Sequence, residues 1–398
     1  MTNKQHGFTL VELMITMVIF VLVIAAASTI FTGLLTQFKQ QSKIAETNIE
    51  GIMGLQMLKS DMEQAGYGLS YDLDGVTYNE ALNDADTAHD DTAYNDSAGN
   101  TPRPIVASDN NGVNTSDIVA IKATNVAIND AAHKWTYIAN TGAANDLQIW
   151  TDSAGVALDD ENMEDNVDSV IVLNPTGTDT QRVLINSGGT FYTTYRNTVG
   201  NFADAFEPVI NGYQTHLVYG LITAGTPRMP FNRADFYIRA AGTPTRCAPA
   251  TGILYKATVN HTDGNLTELP LLDCVADMQI TLGLDMDDDG IQGTVTSPGG
   301  ATPRTTSEGA TAATIAATLS DAALIRQRLK EIRVYVLAHE GQRDTSYTYP
   351  NATINIVDPD IGVGTPLKAF ALNTVIGATY INYRWRLYTM VMKPYNMR

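Results

Sequence analysis

The chain has 398 residues, 44% of them hydrophobic and 17% charged, with a formal net charge of −18. That apolar content suffices for a folded domain with a substantial core. So acidic a chain is ill suited to nucleic acid or anionic lipid, and no nucleic acid is expected among its partners; divalent cations and basic partners stay open.

Glu12 is the first informative residue. It heads the run Leu13–Leu35, 23 residues without another charge. At about 1.5 Å of rise per residue this makes roughly 35 Å of helix, enough to span a bilayer. A charge in hydrocarbon costs roughly 3 kcal/mol near the bilayer centre, so Glu12 needs a partner. An ordinary secretory signal, cleaved at Ala25-Ala26-Ala27, is one competing reading. Against it, Ile30, Phe31, Leu34 and Leu35 carry the apolar run past that point. A permanent single-span anchor is another, and it leaves Glu12 without explanation.

The helix is expected to continue beyond the span. Ala45, Ile49, Ile52, Leu55, Leu58, Met62 and Ala65 recur at steps of three and four. Lys43, Glu46, Glu50, Lys59, Asp61 and Glu63 fall mostly elsewhere on the wheel. The stop comes near Gly66-Tyr67-Gly68. One long helix is therefore predicted over Phe8 to Ala65, with Gly33, Gly51 and Gly54 as points of bending or of close contact.

From about 79 to 116 the chain is poor in core formers and rich in Asp, Asn, Thr and Ala, which predicts a long surface excursion. Strand-like runs follow at Asp117–Ala123, Ser169–Leu173, Val183–Tyr195, Ile253–Val259 and Met278–Leu284. Ser187-Gly188-Gly189 interrupts the third and signals a hairpin. Alternation in the last predicts a half-buried strand. Ser297–Ser320 reads as a loop leading into a short helix that Asp321–Lys330 continues, and Ile332–Ala338 reads as a strand. In the final strand Tyr383, Trp385, Leu387 and Val391 oppose Arg384 and Arg386. A helix followed by many strands, without a βαβ rhythm, predicts an α+β fold with a mainly antiparallel sheet.

The two cysteines, Cys247 and Cys274, are expected to form a disulfide if the head lies outside the cytoplasm. Such a bridge is worth roughly 3 kcal/mol in the chain-entropy model. Asp285-Met286-Asp287-Asp288-Asp289-Gly290 has the start of a calcium loop, with Asp285, Asp287, Asp289 and the Ile291 carbonyl as candidate ligands. Thr296 stands where an EF-hand loop ends in glutamate, so an acidic, solvated turn is the competing reading. No other cofactor is implied. Catalysis finds no support, and no enzyme is expected. The six histidines are scattered, and His133 and His261 read as polar surface. Tyr192, Tyr195, Tyr380, Tyr383, Trp385 and Tyr388 read as strand packing rather than as a binding face.

The segment Lys4-Gln5-His6-Gly7-Phe8-Thr9-Leu10-Val11-Glu12 resembles the class III signal of type IV pilins and type II secretion pseudopilins. The resemblance implies that a prepilin peptidase cuts after Gly7 and methylates the new N-terminus at Phe8. It also implies that Glu12 pairs with the amino terminus of a neighbouring subunit during assembly. Leader (1–7), helix (8–66, membrane span about 13–35) and head (67–398) follow from it. Three further stretches resemble the PilW-like minor pilins: Leu58–Tyr67, with Glu63 where arginine is common, Asp277–Gly290, and Ile325–Ala338. The middle, about 75 to 245, resembles nothing specific. The implied partners are other minor and major pilins, the inner membrane before assembly, and a tip adhesin. The implied role is to prime or cap a pilus. A type II secretion pseudopilin and a non-polymerising membrane-anchored adhesive protein are the alternatives.

Overall fold

A computed structural model describes residues 9–83, 91–175, 182–198, 202, 204–299, 303–306, 308–360 and 366–397. Helix α1 runs Leu10–Glu63, is capped by Thr9, and ends at Gln64. The strands that follow are β1 (Ile105–Ser108), β2 (Ile118–Ala123), β3 (Trp135–Asn140), β4 (Asn145–Leu147), β5 (Asp168–Pro175), β6 (Arg182–Leu184), β7 (Tyr192–Thr194), β8 (Thr215–Thr223), β9 (Asn232–Arg239), β10 (Gly252–Val259), β11 (Leu266–Leu284), β12 (Thr294–Thr296) and β13 (Pro303–Thr306). Helices α2 (Ala312–Ser320) and α3 (Ala322–Arg328) then lead into β14 (Leu329–Glu340), β15 (Thr353–Ile356), β16 (Lys368–Ala371) and β17 (Arg384–Met392).

The larger sheet runs β1-β2-β9-β10-β11-β14-β17, with β12 and β13 added beside the end of β11. The smaller runs β4-β3-β8-β5, with β6 and β7 both on β5. All these named pairings are antiparallel. The arrangement is an apolar N-terminal helix followed by a mainly antiparallel β-sheet domain, as α+β requires. The Val183–Tyr195 run is not a two-stranded hairpin. Leu184 pairs with Leu173 and Thr194 with Ser169, so β6 and β7 lie along the same strand and the glycine turn between them bulges out.

The main core forms where α1 crosses the larger sheet. Leu55, Leu58 and Met62 pack with Val119, Phe236, Leu254, Met278, Ile280 and Val334. Each such buried side chain contributes about 1.5–3 kcal/mol relative to exposure. Of the predicted stripe, Ile52 is exposed, and Gly51 and Gly54 face the sheet instead. A Cβ on Gly54 would sit 2.0 Å from the Leu271 carbonyl oxygen, and one on Gly51 2.8 Å from Leu272 Cδ1. These glycines allow close contact, whereas Gly33 has open space around it. Asp61, read as an outer position, is buried and paired with Lys256 of β10 at 2.6 Å.

Strand β11 is buried on both faces from Cys274 to Asp285, not half-buried. Its second face is polar, and distant residues pair with two of its side chains. Lys368 donates to Asp277 at 2.8 Å, and Thr281 donates to Asp358 at 2.7 Å. The described part of the 79–116 region is likewise no surface excursion. Glu80, Asp91, Tyr94 and Asp96 are buried. Lys122 of β2 lies 2.7 Å from both Glu80 and Asp96, and Arg233 of β9 pairs with Asp235 at 2.7 Å and Glu80 at 3.3 Å. Pairing of this kind offsets the desolvation cost of burying these charges.

Candidate functional site

The start of α1 is built by its own sequence. Thr9 is the N-cap, and Glu12 sits at the third helical position. Glu12 N donates to Thr9 Oγ1 at 3.3 Å, while Thr9 N and Thr9 Oγ1 donate to Glu12 Oε2 at 3.0 and 2.9 Å. This is a capping box, which satisfies helix donors that otherwise lack partners. Glu12 thus has local partners, a role that its position among apolar residues did not suggest. From Leu10 to Lys39 the helix is long and apolar enough to cross a membrane, and its described side chains are exposed. Gly7 and Phe8, the expected processing residues, lie outside the described residues.

Residues 2–28 match the prokaryotic N-terminal methylation motif. The match supports a type IV pilin-like or pseudopilin-like protein, and it implies processing by a prepilin peptidase and assembly with other pilins. With the apolar helix, it is consistent with anchoring in the inner membrane. No curated protein and no solved structure matches the chain.

The acidic turn after β11 gathers more than the sequence suggested. Asp285, Asp287, Asp289 and Glu308 each bring one carboxylate oxygen within 4.8 Å of the others. Glu308 comes from beyond β13, and nothing near the D-x-D-x-D-G run signals it. It accepts from Met286 N at 2.9 Å and Thr294 Oγ1 at 3.0 Å. Asp285 is buried and accepts from Asp289 N and Gly290 N at 3.1 and 2.8 Å. Ile291 enters through its N–H, which donates to Asp289 at 2.7 Å, and its side chain is exposed. Gly290 has φ +89°, a conformation that glycine adopts without strain. Four carboxylates at this spacing suit a hard cation. The turn also closes through its own N–H groups.

Cys247 and Cys274 are disulfide-bonded, with Cα atoms 4.9 Å apart, and they pin the loop after β9 to β11. His339 lies beside them, buried between Tyr383 and Trp385, whose ring centroids are 4.5 and 5.2 Å away. Its Nε2 accepts from Ala248 N at 2.8 Å, which requires the neutral ring. Burial holds its pKa down to about 4, with Arg246 adding to the effect. His261 is buried too, not surface: its Nδ1 accepts from Arg228 N at 2.9 Å and its pKa is also held to about 4. The aromatic residues singled out in the sequence fall into separate clusters. Tyr195 packs with Phe202, and Tyr383 and Trp385 pack around His339.

Proposed function

We propose that the chain is a minor pilin, PilW-like, that primes or caps a type IV pilus at its tip. It is inserted in the inner membrane with its head in the periplasm, cut after Gly7 and methylated at Phe8. It then enters the filament through α1 and reaches the cell surface, where it can present a tip adhesin. Glu12 and the new amino group of a neighbour set register as mutually neutralising charges. The observation that carries this reading is the pairing of a methylation motif with an apolar helix headed by one carboxylate. The head supports it by its size: an ectodomain of this bulk is easier to place at a tip than to repeat along a shaft. In this proposal the protein is not an enzyme and requires no cofactor, and the acidic turn is either a solvated turn or a calcium site.

The mass of the N-terminus in protein from membranes tests it. A chain beginning at Phe8 with one added methyl group is expected. A chain beginning at Met1 would favour a non-polymerising anchored protein, and one beginning at Ser28 would mean an ordinary secretory signal. Cross-linking from α1 then separates a pilus from a type II secretion pseudopilus by the partners captured.

A further inference from the structure

Five cationic side chains are buried among the described residues: Lys122, Lys134, Arg233, Lys256 and Arg326. The first four hold carboxylates. Arg326, near the end of α3, forms no such ion pair among the described residues, and it is 9% exposed. Its Nη1 is shielded from solvent and has no hydrogen-bond partner among the described residues. Its guanidinium carbon stands 4.0 Å from the ring centre of Tyr71, and that of Arg182 stands 5.2 Å from the same ring. Burial pushes the Arg326 pKa down, and the neighbouring Arg182 adds to this against the weaker pull of Tyr71 and Asp321. An uncompensated buried charge is costly, and a guanidinium does not escape by losing its proton.

Arg326 lines a cleft of about 580 Å³ between the 95–103 segment and the junction of α2 and α3. Tyr71, Asn100, Thr101, Arg103 and Ser320 line it as well. The volume falls in the range of small-molecule sites. Two carboxylates also line the cleft, and both are engaged. Asp96 pairs with Arg103 at 2.6 Å and Lys122 at 2.7 Å. Asp321 caps α3, accepting from Ala323 N and Leu324 N at 2.8 and 2.9 Å. Asp321 attracts Arg326 from a distance but forms no ion pair with it among the described residues, so the Arg326 guanidinium has no direct carboxylate contact at this cleft.

We propose that this cleft binds the carboxylate or phosphate of a small hydroxylated ligand, with Arg326 as the anchoring cation. A guanidinium matches either oxyanion in a bidentate geometry. Asn100, Thr101 and Ser320 donate to the backbone carbonyls of Asp96, Tyr71 and Ala317 at 2.8, 3.4 and 3.0 Å, which leaves their side-chain oxygens as acceptors suited to a hydroxylated body rather than an apolar one. None of the residues lining the cleft belongs to α1.

Calorimetry on the full chain in detergent tests it, with glucuronate, glucose 6-phosphate, inorganic phosphate and glucose as probes. At least one of the two sugar anions is expected to bind, glucose is not, and Arg326→Gln should weaken the binding at least tenfold. Arg326→Lys keeps the charge without the fork and should fall between. Binding of glucuronate alone, or of the two phosphates alone, supports the site and identifies the oxyanion. Without ligand, Arg326→Gln should unfold at the same temperature as the parent or higher, because a buried charge is removed; this also shows that the variant folds. Equal binding by the parent and Arg326→Gln would overturn the proposal. So would no binding of either sugar anion, or equal binding of glucose.

Discussion

The two halves of α1 obey different rules within one helix. From Leu10 to Lys39 the described side chains face outward, and among the described residues no part of the head covers them. From Gly51 to Met62 one stripe is sealed against the larger sheet by Leu55, Leu58 and Met62. The sealed stripe is intrinsic to the folded chain. The outer half has apolar surface on every side, so its stability is set by lipid or by other helices. Substitutions in the two halves should therefore report on different events.

The largest effect on the head is expected at the glycine contact. Gly54→Leu would drive its Cβ to 2.0 Å from the Leu271 carbonyl oxygen, a backbone atom that yields little. A loss of at least about 3 kcal/mol is expected, read as a fall of at least roughly 5 °C in the unfolding temperature. Gly33→Leu meets nothing within 4 Å and should leave the head's unfolding temperature unchanged. Equal effects in the two variants would mean that α1 does not divide as described.

Acid should come next, again acting on the head alone. His339 and His261 are buried neutral, with pKa values of about 4 against an ordinary value of 6.5. A lowered folded-state value means that the stability they contribute is complete above pH 6.5 and is lost as pH falls towards 4. Each is worth up to roughly 3 kcal/mol. Burial raises Asp117 to about 8 and Asp277 to about 6, so these two act in the opposite sense, losing stability as pH rises. The histidine share is isolated by His339→Gln, whose unfolding midpoint should fall less than the parent's between pH 6.5 and 4. Parallel pH profiles for the two would exclude His339 as a source of acid lability.

What the sequence made legible divides along the same line. The apolar run, the capping residues and the 3.6-residue period are local patterns, so α1 could be read almost to its ends. Most strand positions were also local. What failed was long-range. The 79–116 composition predicts a surface excursion, because the cationic partners Lys122 and Arg233 come from β2 and β9. Alternation in Met278–Leu284 predicts a half-buried strand because Gln279 and Thr281 are polar, yet Thr115 and Asp358 reach over to pair with them. Glu308 joined the acidic turn from beyond β13, where no spacing rule points. Gly51 and Gly54 were legible as special positions, but only the approach of β11 decided between bending and contact.

A smaller effect is expected from calcium. At about 5 mM, a weak site of millimolar affinity would add on the order of 1 kcal/mol. The unfolding temperature should rise by a few degrees in the parent and hardly at all in Asp287→Asn. Identical melting in calcium and in chelator would leave the turn as an acidic loop closed by its own N–H groups. In either case α1 from Leu10 to Lys39 should be unaffected.

The smallest effect on the head belongs to Glu12, and it is also the sharpest test of the division. The carboxylate is exposed, and among the described residues its bonds are to Thr9 alone. Losing this capping box costs at most about 1–2 kcal/mol at the helix start, far from the sealed stripe. Glu12→Ala and Glu12→Gln should therefore both fold and be processed, with head unfolding temperatures within about 1 °C of the parent. Both should fail to enter a filament. The pair separates two roles of one side chain. Glutamine keeps an oxygen that can accept from Thr9, so it preserves the helix start while removing the charge. If glutamine assembles normally and alanine does not, Glu12 serves as a cap. If both fail, the charge is what a neighbouring amino terminus reads. If both assemble, the outer half of α1 carries register without Glu12, and the pairing of Glu12 with a neighbour's amino group is wrong.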